Sequence, residues 1–285
     1  MSVLALDIGG TKTLVALAED GQILECERLP TEMAGGGAGL VDAIASVAAR
    51  WSRRMDCVGA AVSGLVRNGT WQALNRRTLA LPEPFPLAAA LSERFGCPAR
   101  VVNDAQAAAW AEWSEGAGRR EDMVFLTVST GIGGGIVTAG RLLEGLAGSF
   151  GQWIDDGGAR FEDRASGRWM AAAAREAGHV AEATDVFGAL PDAWAEALVT
   201  EMAGRLAVLC RNVQLALDPR RIVLGGGIGL APGTIGRIEA AFAGLDPVLR
   251  PTLVPASLGA EAGIIGAAAL ARGVKQTSKH RESVP

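Results

Sequence analysis

The chain of 285 residues is poor in metal-ligating side chains: it has two histidines, His179 and His280, and four cysteines, at positions 26, 57, 97 and 210. No cysteine lies within metal-ligand spacing of another, which excludes a cysteine-rich structural zinc site. Reduced, buried thiols are the expectation. His179, in a helix C-terminal turn, and His280, in the tail, read as structural or solvated. There is no basic excess either. The formal net charge is -4, whereas a general nucleic-acid binder carries a basic face. No apolar run approaches the ~18–20 residues that span a bilayer. The first residues show neither a charged n-region nor a cleavage site. A cytoplasmic protein with no nucleic-acid or membrane partner is expected.

What is present is apolar sequence, at 49% of residues with 20% charged, enough to build a proper core. The length suits one large domain or two of ordinary size. Glycine is abundant, at 38 residues, and it clusters at 9–10, 35–37, 133–135 and 225–227. Such clusters mean tight turns or a close approach of backbone to something else.

The pattern predicts a strand over 3–7, a turn over 8–12 and a returning strand over 13–18. Asp20-Gly21 reads as a second hairpin turn leading to a strand over 23–28. A loop is expected over 35–39. Helices are expected over 40–51, 87–95 and 104–113, with strands over 58–62 and 100–103. The second half repeats the theme: strand 123–129, turn 130–135, strand 136–139. Helices follow over 165–176 and 194–216, then a strand over 221–224 with a turn over 225–229. A helix over 234–243, a strand over 252–254 and a helix over 262–272 complete the order. The strand, glycine-rich turn and strand that open each half form a weak internal repeat. The fold class is therefore α/β: two similar domains, 1–116 and 117–261, facing each other across a cleft, with helix 262–272 completing the first. The polar stretch 116–122 is linker-like, and residues 275–285 read as a flexible tail.

Four constellations carry chemistry. Asp7-Ile-Gly-Gly-Thr-Lys12 is a hairpin whose turn lets backbone N–H groups and the Thr11 hydroxyl approach a phosphate. Asp7, at the strand end, could hold Mg²⁺ through water. The Walker spacing is absent, so this is either an ordinary hairpin or a different phosphate cradle. Thr127-Val-Ser-Thr-Gly-Ile-Gly-Gly-Gly135 is a second cradle or a glycine-rich sheet edge. It cannot be a dinucleotide fingerprint, which must open a helix. Ile222-Val-Leu-Gly-Gly-Gly-Ile-Gly229 runs a strand into glycines that could pack against an adenosine, or it is a plain strand-to-helix turn. Asp104 follows a strand and opens a helix. Asp is a favoured N-cap, but beside two phosphate-type turns a carboxylate also fits the proton acceptor of a phosphoryl transfer.

Together these segments resemble the ROK family of repressors, open reading frames and sugar kinases, within the actin/hexokinase-like ATPase (ribonuclease H-like) fold. The resemblance rests on Leu6-Asp-Ile-Gly-Gly-Thr-Lys12, Leu74-Asn75, Asn103-Asp-Ala-Gln-Ala-Ala-Ala-Trp-Ala-Glu112, the run from Asp122 to Gly135, Gly145-Leu-Ala-Gly148 and Ala165-Ser-Gly167. These stretches occur in the family's order over more than half the chain. It implies an ATP- and Mg²⁺-dependent kinase that phosphorylates a sugar 6-hydroxyl, with N-acetyl-D-mannosamine the first candidate. Glucose, fructose or N-acetylglucosamine as acceptor, or a non-catalytic sugar-binding pseudokinase, are the alternatives. A repressor is not expected, since the phosphate strand begins at residue 3 and leaves no room for a DNA-binding helix pair. A homodimer is expected from its relatives.

The resemblance also implies roles. Asp104 would take the proton and Asn103 would hold the sugar. Gly9, Gly10, Thr11 and Lys12 would line one phosphate site, and Thr130, Gly131 and Gly133 the other. Gly225, Gly226 and Gly227 would meet the adenosine. Ser63, Gly64, Asn75 and Glu162 match positions near the sugar. Family members usually carry Gly-Glu-x-Gly-His and then a Cys-x-Cys-Gly-x-x-Gly-Cys zinc loop. Here the first is Gly148-Ser-Phe-Gly-Gln152, with Ser149 in place of the carboxylate and Gln152 in place of the histidine. The loop is missing, so no zinc is expected. Gln152 can hydrogen-bond a sugar but carries no charge.

Overall fold

A computed structural model describes residues 1–51, 55–74, 79 and 81–282. Up to the middle of the chain the elements are β1 (Ser2–Ile8), β2 (Lys12–Glu19), β3 (Gln22–Pro30), α1 (Gly36–Ala48), β4 (Cys57–Val62), β5 (Leu65–Arg67), β6 (Thr70–Gln72), α2 (Leu87–Phe95), β7 (Ala99–Asn103) and α3 (Asp104–Glu115). There follow β8 (Met123–Val128), β9 (Ile132–Thr138), β10 (Arg141–Leu143), α4 (Glu162–Ala165), α5 (Gly167–Glu176), α6 (Ala183–Gly188) and α7 (Ala193–Leu217). The last are β11 (Arg221–Gly225), α8 (Gly226–Gly229), α9 (Thr234–Ala240), β12 (Leu253–Pro255) and α10 (Ala262–Glu282).

The chain divides into two compact units. The first comprises Met1–Ala111, Glu144–Leu146 and Glu261–Pro285, and the second Glu112–Leu143 and Ala147–Ala260. The first contains a five-stranded sheet in the order β3-β2-β1-β4-β7. β1 pairs antiparallel with β2 and parallel with β4, and β4 pairs parallel with β7. The period-two alternation of β1 explains its two neighbours. Leu4, Leu6 and Ile8 are fully buried in the core that holds Leu40 and Ile44 of α1 and Leu87 and Leu91 of α2. Each such side chain contributes roughly 1.5–3 kcal/mol by leaving water. Val3 and Ala5 point the other way, to Ile264, Ala268 and Ala271 of α10. Asp7 shares that second face. α10 packs so closely that a Cβ on Gly266 would lie 1.8 Å from the Ala107 carbonyl oxygen.

The second unit repeats the sheet in the order β10-β9-β8-β11-β12, again with a leading hairpin and then parallel neighbours. Its core centres on α7, with Val199, Met202, Leu206, Leu209 and Val213 buried against Leu126, Val128, Ile222 and Leu224 of the sheet.

Several local expectations need correction. The glycine run at 35–39 is not a loop, because α1 begins at Gly36, where a side chain on Gly37 would collide with the Phe85 ring. Gly133, Gly134 and Gly135 are not turn residues. They pair with Thr127, Leu126 and Phe125 within β9, where a Cβ on Gly134 would lie 2.3 Å from the Phe125 carbonyl oxygen. The helix expected over 165–176 is broken at Ser166, whose hydroxyl accepts from the Trp169 N–H and caps α5. α10 runs from Ala262 to Glu282, longer than the helix expected over 262–272. Among the described residues, no helix is long and apolar enough to cross a membrane.

Candidate active site

In the first unit three parallel strands end side by side. Their pairing aligns Ile8 with Val62 and Val62 with Asn103, so the residues that follow, Gly9, Ser63-Gly64 and Asp104, leave the sheet along one edge. Ligands of open α/β sheets bind at this carboxyl edge. The β1–β2 turn is closed by the Gly9 N–H donating to the Lys12 carbonyl oxygen at 3.0 Å, which leaves Thr11 and Lys12 exposed. The Ser63-Gly64 bend is pinned three ways. The Ser63 N–H donates to the Ile8 carbonyl, the buried Trp71 indole donates to the Ser63 carbonyl at 3.0 Å, and the Asn103 amide donates to the Gly64 carbonyl at 2.9 Å.

Asn103, not Asp104, is the principal cap of α3. Its Oδ1 accepts from the Ala105 and Gln106 N–H groups at 3.0 and 3.2 Å. Asp104 therefore stands at the first helical position, and one of its oxygens accepts from the Ala105 N–H at 2.8 Å. Burial raises its pKa above the usual carboxylate range, although hydrogen bonds from Ala105, Asn103 and Ser63 oppose the shift. Asp7 is pushed up to about 6 by burial and by the nearby Asp104 charge, with Lys12 acting in the opposite sense. Two carboxylates with raised pKa values at the carboxyl edge of the sheet suit proton transfer and cation binding. The Asp7 carboxylate accepts no hydrogen bond among the described residues and sits beside Gly263 of α10. That donor set fits a Mg²⁺ ion held through water.

The second unit has its own concavity. A cavity of about 620 Å³ is lined by Ser129 and Thr130 of the β8–β9 turn, Gly167 and Arg168 of α5, Glu182 to Thr184 and Phe187 around α6, Gly227 and Ile228, and Leu230 to Pro232. The turn is held in place by the Gly167 N–H donating to the Ser129 carbonyl at 2.7 Å and the Arg168 N–H to the Thr130 carbonyl at 3.3 Å. Gly226 adopts φ +82°, and a Cβ there would lie 2.3 Å from the Val128 carbonyl oxygen, so β11 can turn into α8 only with glycine. Hydroxyls and backbone of Ser129 and Thr130, together with the apolar side chains of Phe187, Ile228 and Leu230, line one cavity that suits an anionic group carried on a flat apolar body.

Beside this turn, Glu162 is tied by both oxygens. Oε2 accepts from the Ile132 N–H at 3.3 Å, and Oε1 pairs with Arg168 at 3.0 Å and accepts from the Gln152 amide at 3.4 Å. The Arg160 guanidinium donates to the Gln152 Oε1 at 3.2 Å and forms a bidentate pair with Asp163. The short segment between Trp153 and Phe161 is closed by an Ile154–Arg160 bridge and by Asp155 accepting from the Ala159 N–H. Among the described residues, no group of three or more His, Cys, Asp or Glu side chains could hold a metal ion.

The structure thus groups Asp7, Gly9 to Lys12, Ser63, Gly64, Asn103 and Asp104 in the first unit. It groups Thr130, Gly131, Gly225 to Gly227, Gln152 and Glu162 in the second. Ser149 precedes the single helical turn Phe150–Gln152, and its side chain makes no capping bond. Gly133 lies within β9 rather than in the turn. Asn75 falls outside the described residues. Sequence reasoning missed α6 with Phe187, and also Arg168, for which a cation beside a glycine turn was the only available signal.

The ROK family profile matches residues 3–274. The bifunctional enzyme NanE/NanK of Brucella melitensis is 45% identical over 277 residues, covering 94% of this chain and 54% of that protein. The chain thus spans about half the length of that relative. The N-acetylmannosamine kinase of Shigella flexneri is 38% identical over 290 residues, covering 96% of this chain and all of that one. Among solved structures, the ROK hexokinase of Thermus thermophilus superposes with a TM-score of 0.84 at 32% identity, over 97% of this chain and 100% of that one. The duplicated sheet with its paired hairpins is the actin/hexokinase-like ATPase fold, and by its residues and its architecture the chain belongs to the ROK family.

Proposed function

We propose that the chain is an ATP-dependent sugar kinase that transfers the γ-phosphoryl group to the 6-hydroxyl of N-acetyl-D-mannosamine. The observation that carries this reading is the division of labour at the start of α3. Asn103 caps the helix, which leaves the raised-pKa carboxylate of Asp104 at the sheet's carboxyl edge as a base. A base with a raised pKa is better matched to an alcohol proton than an ordinary aspartate.

In this mechanism Asp104 accepts the 6-hydroxyl proton as the oxygen attacks phosphorus and ADP leaves. Ser63 and Asn103 fix its orientation. The backbone amides and hydroxyls of the Gly9–Lys12 and Ser129–Gly131 turns receive phosphate oxygens. The cavity beside Gly227 and Phe187 takes the nucleoside. Glu162 and Gln152 offer hydrogen-bonding groups to sugar hydroxyls. Mg²⁺, held through water by Asp7, would neutralise phosphate charge. The similarity to the kinases named above supports the reaction class and the acceptor.

A second reading, another hexose as acceptor, is favoured by one observation. Gln152 is neutral and its amide is engaged by Arg160 and Glu162, so its contribution to discrimination is limited. An ADP-release assay with N-acetylmannosamine, N-acetylglucosamine, glucose and fructose separates the two. The highest kcat/KM is expected with N-acetylmannosamine. A higher value with another sugar would move the acceptor assignment, and no ADP release with any would leave only a sugar-binding role.

A further inference from the structure

Arg168 occupies an ambiguous electrostatic position. Its guanidinium, 55% exposed, pairs with Glu162, whose side chain is only 18% exposed. The same residue lines the cavity beside Ser129 and Thr130. A Cβ on Gly131 would lie 2.5 Å from the Glu162 Oε2 and 3.9 Å from the Arg168 Nη2. One cation therefore touches an anchored carboxylate and overlooks the turn suited to a phosphate. Glu162 does not need Arg168 to stay in place, because Ile132 and Gln152 also hold it.

We propose that Arg168 is a shared cation, which nucleotide phosphates draw away from Glu162, so that nucleotide binding frees the Glu162 carboxylate. This rests on the function proposed above, in which the second unit holds nucleotide and Glu162 meets the sugar. The exchange is cheap in one direction and favourable in the other. A half-exposed ion pair stabilises little, about fivefold or less in an equilibrium constant. A phosphate offers the guanidinium a more highly charged, bidentate partner. Once released, the Glu162 Oε1 can accept a sugar hydroxyl, and the coupling is reciprocal: sugar and nucleotide each tighten the other. Arg168 is then a positioning residue, acting on the acceptor through Glu162.

The test is calorimetric titration of the full chain with ADP and with adenosine, in the parent, Arg168→Gln, Glu162→Gln, the double variant and Asp163→Asn. Arg168→Gln should weaken ADP by about tenfold or more and leave adenosine unchanged. Glu162→Gln removes the competitor and should tighten ADP by about three- to fivefold, while the double variant should match Arg168→Gln. Asp163→Asn, which removes an adjacent charge paired with Arg160 instead, should not alter ADP affinity. Weaker or unchanged ADP binding in Glu162→Gln would overturn the assignment. So would equal losses of ADP and adenosine in Arg168→Gln, or tightening in Asp163→Asn as large as in Glu162→Gln. Failure of the parent to bind ADP or adenosine at all would sink the proposed function as well.

Discussion

Asp7 should make the protein less stable than it could be. Its pKa of about 6 in the fold, against 3.8 as the ordinary value, means that the ionised form is disfavoured by burial and by Asp104. The sign follows from proton linkage. Above pH 6 the folded chain carries a charge that the unfolded chain carries more comfortably. As pH falls through 6 the folded form takes up the proton first, and the penalty is gone below 3.8. The full shift corresponds to about 3 kcal/mol at neutral pH, and partial solvent access reduces this to roughly 1–3 kcal/mol. Asp7→Asn keeps the shape and deletes the charge. It should raise the melting temperature at pH 7.5 by about 2–8 °C. That advantage should shrink between pH 6 and pH 4 in a pH series of thermal melts. Phosphoryl transfer should fall in the same variant, the usual trade between stability and a polar site. A variant less stable than the parent at pH 7.5, or a gain that persists unchanged at pH 4, would refute the reasoning.

Other changes have clear expected outcomes. Glu112 of α3 is fully buried and accepts from the Ala117, Ser257 and Leu258 N–H groups and the Ser257 hydroxyl, at 2.8–3.1 Å. Glu112→Ala would strand these donors and should cost about 3–5 kcal/mol in denaturant unfolding. Gly226→Ala must place a Cβ 2.3 Å from the Val128 carbonyl oxygen at φ +82°. It should cost at least about 2 kcal/mol and weaken ADP binding by calorimetry.

Much of the fold is legible in the sequence because strand alternation and glycine turns are strong local signals. β1, the β1–β2 turn, α2 and the start of α3 fall where the pattern places them. What is hidden depends on tertiary contact. Gly133 to Gly135 read as a turn because glycine weakens a strand on its own, yet here they pair within β9, where Gly134 leaves room for the Phe125 carbonyl and the Phe150 ring. The β5–β6 hairpin and α6 are too short to show a period. At the site, adjacent Asn103 and Asp104 are both good capping residues, and only the observed hydrogen bonds show that Asn103 does most of the capping. Glu112 looks like any helical glutamate until its buried partners are seen.

The turnover rate of Asp104→Asn tests the central assignment most directly. With the parent's preferred sugar, kcat should fall by about 10²–10⁴-fold, while calorimetry shows ADP affinity within twofold of the parent. Turnover at the parent rate would contradict the account.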